Sequence, residues 1–197
     1  MNFTPLRYKM LFYMLTHYDG FGQREIADYL GIKFGATVNS FVKQLVQLGY
    51  VSQTGPSKKG GKKYVVTSPL ELISFYSKFR KMELHDRFSL AMKREETINY
   101  LSERGAIFCL NTALEEHKGQ VTDPAIYAYL PEEHFLEDEI KFLARGDTPV
   151  YLYKYDFEDN PVTIKNKKIT SKVRTLIDLY CENKAYIAEA LAKEFGN

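Results

Sequence analysis

The chain has 197 residues, 45% of them hydrophobic, and a formal net charge of +2. That length suits one large domain or two small ones, and the apolar content excludes wholesale disorder. No run approaches the ~18 apolar residues of a membrane-spanning helix, and no basic segment followed by an apolar one marks a signal peptide.

The small net charge conceals a division. Residues 1–81 carry 12 Lys/Arg against 4 Asp/Glu, a net of +8, whereas residues 82–197 carry 15 against 21, a net of −6. A basic half suits a polyanion, and an acidic half is unsuited to lying on phosphate. Cys109 and Cys181 are the two cysteines, too few for a thiolate zinc site, and the four histidines lack ligand spacing. The expectation is a reduced, cytoplasmic protein without metal or cofactor.

Thr4 and Pro5 mark a helix start, with Leu6, Met10, Tyr13 and Met14 supplying its apolar face. A short helix follows over Gln23–Gly31, with Ile26, Ala27 and Leu30 on one side and Gly31 as its stop. A second begins near Gly35, where Val38, Phe41, Val42, Leu45 and Leu48 form one buried stripe. Thr37 lies in its first turn. Asn39, Ser40, Lys43, Gln44 and Gln47 fall on the opposite face, which can hydrogen-bond base edges or phosphates and contains no acid. The short connection makes the two helices cross, as in a helix-turn-helix.

Residues 50–54 and 62–67 are β-prone runs joined by the turn chemistry of 55–61. Lys58, Lys59, Lys62 and Lys63 make this hairpin cationic, as in the wing of a winged-helix domain. The same glycines offer no Gly-x-x-x-x-Gly-Lys-Ser/Thr register for a P-loop. Residues 1–80 are thus expected to be a winged helix-turn-helix domain that binds double-stranded DNA.

Pro69 starts a helix with Leu72, Ile73, Tyr76 and Phe79 on one face. A longer helical stretch is expected from Leu84 to Arg104, ended by Gly105 and serving as a connector. Residues 81–197 then read as an α+β domain on a small mixed sheet. Its strands are expected at 106–109, 125–130 and 150–155, with a hairpin of 162–164 and 168–170 about Lys165-Asn166-Lys167. Helices are expected at 111–117, 132–144, 172–181 and 184–195.

The motifs Gly105-Ala106-Ile107-Phe108, Thr112-Ala113 and Ile126-Tyr127-Ala128-Tyr129-Leu130-Pro131 resemble the opening of the C-terminal domain of AbiEi-type antitoxins. Pro149-Val150-Tyr151-Leu152-Tyr153, followed by Thr170-Ser171-Lys172-Val173-Arg174-Thr175-Leu176-Ile177-Asp178-Leu179-Tyr180, is similar to that family's late strand and helix. The resemblance covers most of the chain, and the family places a winged helix at its N-terminus. It implies an antitoxin of a type IV toxin–antitoxin system that represses its own operon at inverted repeats, an arrangement suited to a homodimer. The genetic partner would be a nucleotidyltransferase-like toxin, with direct binding not assumed.

Two other chemistries compete. Asp156-Phe157-Glu158-Asp159 follows a strand and could hold a divalent cation for nucleotidyl transfer. That reaction also wants a Gly-Ser turn, and the sequence has no Gly-Ser dipeptide. Glu137-Asp138-Glu139 reads as an exposed helix face. Tyr151, Tyr153 and Tyr155 share one strand face and could line a small-molecule pocket, making the protein a ligand-responsive regulator, or pack beneath a helix. Asp178, amid apolar neighbours, is best explained as a capping or ion-paired structural residue. No catalytic residue is assigned, and an enzyme is not expected.

Overall fold

The computed structural model describes residues 4–56, 61–119, 123–131, 146–156 and 159–195. It is a mixed α+β protein of two compact units, Met1–Arg80 with Phe195–Asn197, and Lys81–Glu194.

In the first unit, α1 (Pro5–Thr16) starts where Thr4 Oγ1 accepts from Arg7 N at 3.4 Å, with Pro5 in the first turn. Its buried face (Tyr8, Met10, Leu11, Phe12, Met14, Leu15) takes in Met10 and Met14 of the expected stripe, while Leu6 and Tyr13 are half-buried. A two-residue strand, β1 (Phe21–Gly22), leads into α2 (Gln23–Tyr29), whose Glu25 carboxylate accepts from Gly22 N at 2.8 Å. So short a strand leaves no periodicity in the sequence and was not expected from it.

Helices α2 and α3 (Ala36–Gln47) end alike. Gly31 and Gly49 adopt φ of 63° and 81°, and Ile32 N and Tyr50 N reach back to the carbonyls of Ala27 and Leu45, both at 3.0 Å. Glycine enters this left-handed conformation without a Cβ clash, so each helix stops with its last carbonyls satisfied. After α3, β2 (Val51–Pro56) and β3 (Lys62–Val66) pair antiparallel, and β1 pairs with β3, giving the order β1-β3-β2. Met10, Met14, Ile26, Val38, Phe41 and Leu45 are fully buried in the core. In α4 (Pro69–Ser77), Leu72, Ile73 and Tyr76 are buried as expected. Phe79 is not on its face: it lies past the helix end and is 49% exposed.

The second unit is built on a six-stranded mixed sheet of order β4-β7-β6-β5-β9-β8. The strands are β4 (Leu84–Leu90), β5 (Ile107–Phe108), β6 (Ile126–Leu130), β7 (Thr148–Lys154), β8 (Val162–Ile164) and β9 (Lys167–Ile169). The expected helical connector is corrected here. Only α5 (Arg94–Glu103) is helical, and 84–90 is a strand antiparallel to β7, with Phe88 opposite Val150 and Leu90 opposite Thr148. Leu84, Phe88 and Ala91 do step by a helical period, but the open edge of β7 offers a full ladder of hydrogen bonds. Tertiary pairing thus overrides the local pattern.

The hairpin turns through Lys165 and Asn166, both left-handed (φ 47° and 64°). Helices α6 (Leu110–Lys118) and α7 (Lys172–Cys181) follow the expected positions. The final expected helix is instead a 3₁₀ turn (Ala185–Ile187) and a short α8 (Glu189–Ala192), after a left-handed Asn183. The expected helix at 132–144, with Glu137-Asp138-Glu139, lies outside the described residues. Alternation along β6 and β7 puts Ile126, Ala128, Leu130, Val150 and Leu152 in one core with Ile98 and Leu101 of α5. The tyrosines take the other face. Among the described residues no helix is long and apolar enough to cross a membrane.

Candidate nucleic-acid interface

Helix α3 is divided by burial as its sequence predicts. Val38, Phe41, Val42 and Leu45 are buried, whereas Thr37, Ser40, Lys43 and Gln47 are exposed and Asn39 and Gln44 half-buried. Leu48, expected on the buried stripe, is the C-cap and 51% exposed, because the chain turns away there. No acidic side chain occupies the first turn, so the positive end of the helix dipole stays available to an anion. Nearby, the Arg24 guanidinium lies over the Phe34 ring, 5.9 Å from its centroid, and both are exposed.

Gln23, which sequence reasoning did not single out, ties this surface together. Its Nε2 donates to Asn39 Oδ1 on α3 and approaches Tyr64 Oη on β3, both at 3.4 Å. Burial raises the Tyr64 pKa, keeping the hydroxyl protonated. One amide on α2 therefore links helix α3 to the hairpin. Its signal in the sequence was slight: a polar residue at the first position of a helix. Ser40 Oγ donates to Thr37 O at 3.1 Å.

The hairpin lysines divide. Lys62 is exposed at the start of β3. Lys63 is half-buried and its side chain lies over Gly20, where a Cβ would stand 2.1 Å from Lys63 Cε. Lys58 and Lys59 lie outside the described residues. A cleft of about 400 Å³ in the same unit, lined by Tyr18, Asp19, residues 65–71 and Phe195, contains two acids and no cation, so it does not extend the basic surface.

The second unit contains the acidic turn and the tyrosine row. Arg174 is fully buried; its Nε donates to Asp178 Oδ1 at 2.9 Å and its Nη2 to Tyr129 Oη at 2.8 Å and to Asp156. Tyr129 Oη in turn donates to Asp178 Oδ2 at 2.9 Å. Asp159 accepts from the Tyr155 hydroxyl, and burial raises its carboxyl above the usual range against the pull of Arg174. Asp156 and Asp159 are thus engaged by different partners. Among the described residues no three His, Cys, Asp or Glu side chains are grouped to hold a metal ion.

Tyr151 stacks on Tyr127 with centroids 5.0 Å apart, and Tyr153 meets Tyr129 edge-on at 6.3 Å. Arg87 lies over the Tyr151 ring at 5.0 Å and Lys184 over the Tyr127 ring at 3.9 Å. The rings of Tyr127, Tyr129 and Tyr153 are buried among their neighbours. The row packs against itself and its covering side chains. Burial, with Asp123 beside Tyr127 and Glu182 beside Tyr153, pushes both phenols far above their ordinary value, so both remain protonated donors.

No family model matches the chain, and neither a curated protein nor a solved structure does.

Proposed function

We propose that the protein is a DNA-binding transcriptional regulator whose first unit is a winged helix-turn-helix. The observation that carries this reading is the face of α3 opposite the core. Thr37, Ser40, Lys43 and Gln47 stand exposed there, with no acid among them, in a segment of net charge +8. In this reading α3 enters the major groove, Asn39, Ser40, Lys43, Gln44 and Gln47 meet base edges, and hairpin lysines hold flanking phosphates. The order α1-β1-α2-α3-β2-β3, with a sheet of order β1-β3-β2, supports a wing placed just after the recognition helix.

The resemblance of residues 105–180 to AbiEi-type antitoxins extends the proposal. The regulator would be a cytoplasmic autorepressor acting on inverted repeats, as a homodimer, and the antitoxin of a nucleotidyltransferase-like toxin encoded beside it. A stable complex with that toxin is not part of the proposal.

Fluorescence anisotropy on the DNA upstream of the gene, against scrambled DNA at two salt concentrations, tests it. Neutralising about four to five phosphates gives a log–log salt slope of roughly −4. Tighter binding to the upstream fragment with such a slope is expected, and Lys43→Ala should abolish it. Weak binding, equal on both DNAs, would remove the repressor reading.

A further inference from the structure

The segment that leads into α3 is exposed throughout, from Lys33 and Phe34 through Gly35, Ala36 and Thr37. Phe34 stands out there, a large apolar side chain left 43% exposed. Gly35 is the N-cap of α3, so Phe34 lies just before the cap and Asn39 is the fourth residue of the helix. An apolar residue before the cap ordinarily packs on an apolar fourth residue. Here the fourth residue is polar, and its side chain meets Gln23 at 3.4 Å instead. Phe34 is held by Arg24, whose guanidinium lies over the ring 5.9 Å from its centroid. That contact positions the ring without covering it.

A recognition helix presents its N-terminal residues to base edges. In the DNA-binding reading this brings Phe34, with the small Gly35 and Ala36 after it, to the floor of the major groove. The base edges there are hydrogen-bonding groups, except for the C5-methyl of thymine, which phenylalanine contacts. Packing the ring on that methyl takes apolar surface of both from water, and a polar edge offers the ring no such gain. Arg24 over the ring and Lys33 beside it are cations, and the first turn of α3 has no acid. Those surroundings suit a phosphate-lined duplex better than an apolar protein partner.

We infer that α3 selects a thymine in its operator through Phe34, whose ring packs on the thymine C5-methyl. The inference rests on the DNA-binding reading above and names a base that reading leaves open. Phe34 is then a specificity-determining residue that acts by contact with a methyl group and makes no hydrogen bond. Arg24 is a positioning residue that holds the ring.

The test is selection of duplexes from a random pool by the full chain, followed by replacement of each thymine in the selected site, one at a time, with deoxyuridine. Deoxyuridine pairs as thymine does and lacks only the methyl. At the contacted position it should weaken binding about fourfold, the worth of one buried carbon. Phe34→Ala should bind the thymine and deoxyuridine duplexes equally, whereas Phe34→Leu, still apolar, should keep the difference. A site without thymine, a site indifferent to deoxyuridine, or a difference that survives in Phe34→Ala overturns the inference and leaves the regulator reading standing. Binding to no duplex removes both.

Discussion

Arg174 and Asp178 stand one helical turn apart on α7 and form an ion pair of 2.9 Å in which neither side chain is exposed (0% each). Tyr129, on β6, joins both: it accepts from Arg174 Nη2 and donates to Asp178 Oδ2. The triad therefore fixes α7 to the tyrosine face of the sheet through groups that no longer have water to fall back on.

Removing Arg174 takes the opposite charge from buried Asp178, whereas removing Asp178 leaves Arg174 its ion pair with Asp156. Arg174→Ala should destabilise the second unit by about 3–5 kcal/mol, and Asp178→Ala by less, because Arg174 keeps Asp156. Replacing both with apolar residues, Arg174→Met with Asp178→Leu, should cost clearly less than Arg174→Ala. Urea unfolding of the three variants measures this. Costs that simply add would mean that the pair is not coupled.

That pair also shows how far the sequence could be read. The spacing of Arg174 and Asp178 was visible, and Asp178 among Leu176, Ile177 and Leu179 could be assigned a structural role. Tyr129 was not visible as their partner, since it lies 45 residues before Arg174 and arrives through β6. In the first unit, the division of α3 followed from its periodicity. The turn of Asn39 toward Gln23 did not, because a side-chain contact between two helices leaves no periodic trace. The largest misreading, a helix over 84–90, has the same cause: the strand is dictated by a partner about sixty residues away.

The placement of β4 can be tested at Gly146. A Cβ added there would stand 2.0 Å from the carbonyl oxygen of Leu90, the last residue of β4. The obstacle is backbone, so it cannot yield as a flexible side chain would. Gly146→Ala should destabilise the protein by about 1–3 kcal/mol, as overpacking does. Were 84–90 a free helix instead, the substitution would be neutral or slightly stabilising. A denaturation midpoint equal to the wild type would therefore count against the strand.

His117 sets an acid limit on stability. Its ring nitrogen Nε2 lies 2.9 Å from Thr170 O, and burial holds its pKa below the ordinary value. Lys172 and Lys118 push the same way, while the Thr170 carbonyl and Glu194 push back. The folded protein thus binds this proton less readily than the unfolded chain does. Its contribution is fully present above the unfolded value of about 6.5 and is lost as the pH falls below it. Melting temperature should decline from about pH 7.5 to 5.5, and His117→Gln should flatten that decline. Glu116 acts lower: although burial opposes it, Lys167 and Lys165 depress its pKa, so its contribution is lost only below about 4.5. An unchanged slope in His117→Gln would reassign the window to another group.

Under the DNA-binding proposal, Lys62 and Lys63 are neighbours in sequence that should behave differently. Lys62 is exposed where β3 begins, so its ammonium is free to approach a phosphate. Lys63 is half-buried with its side chain against Gly20, on the side of the α1–β1 turn. Each phosphate neutralised contributes about −0.9 to the log–log salt slope. Lys62→Ala should therefore weaken binding on every duplex and make the slope shallower by about 1. Lys63→Ala should leave the slope unchanged, and lose a little stability through the packing its stem gives up. Anisotropy titrations of both variants across a salt series separate the two. Equal loss of slope from both would show that Lys63 leaves Gly20 when DNA is bound.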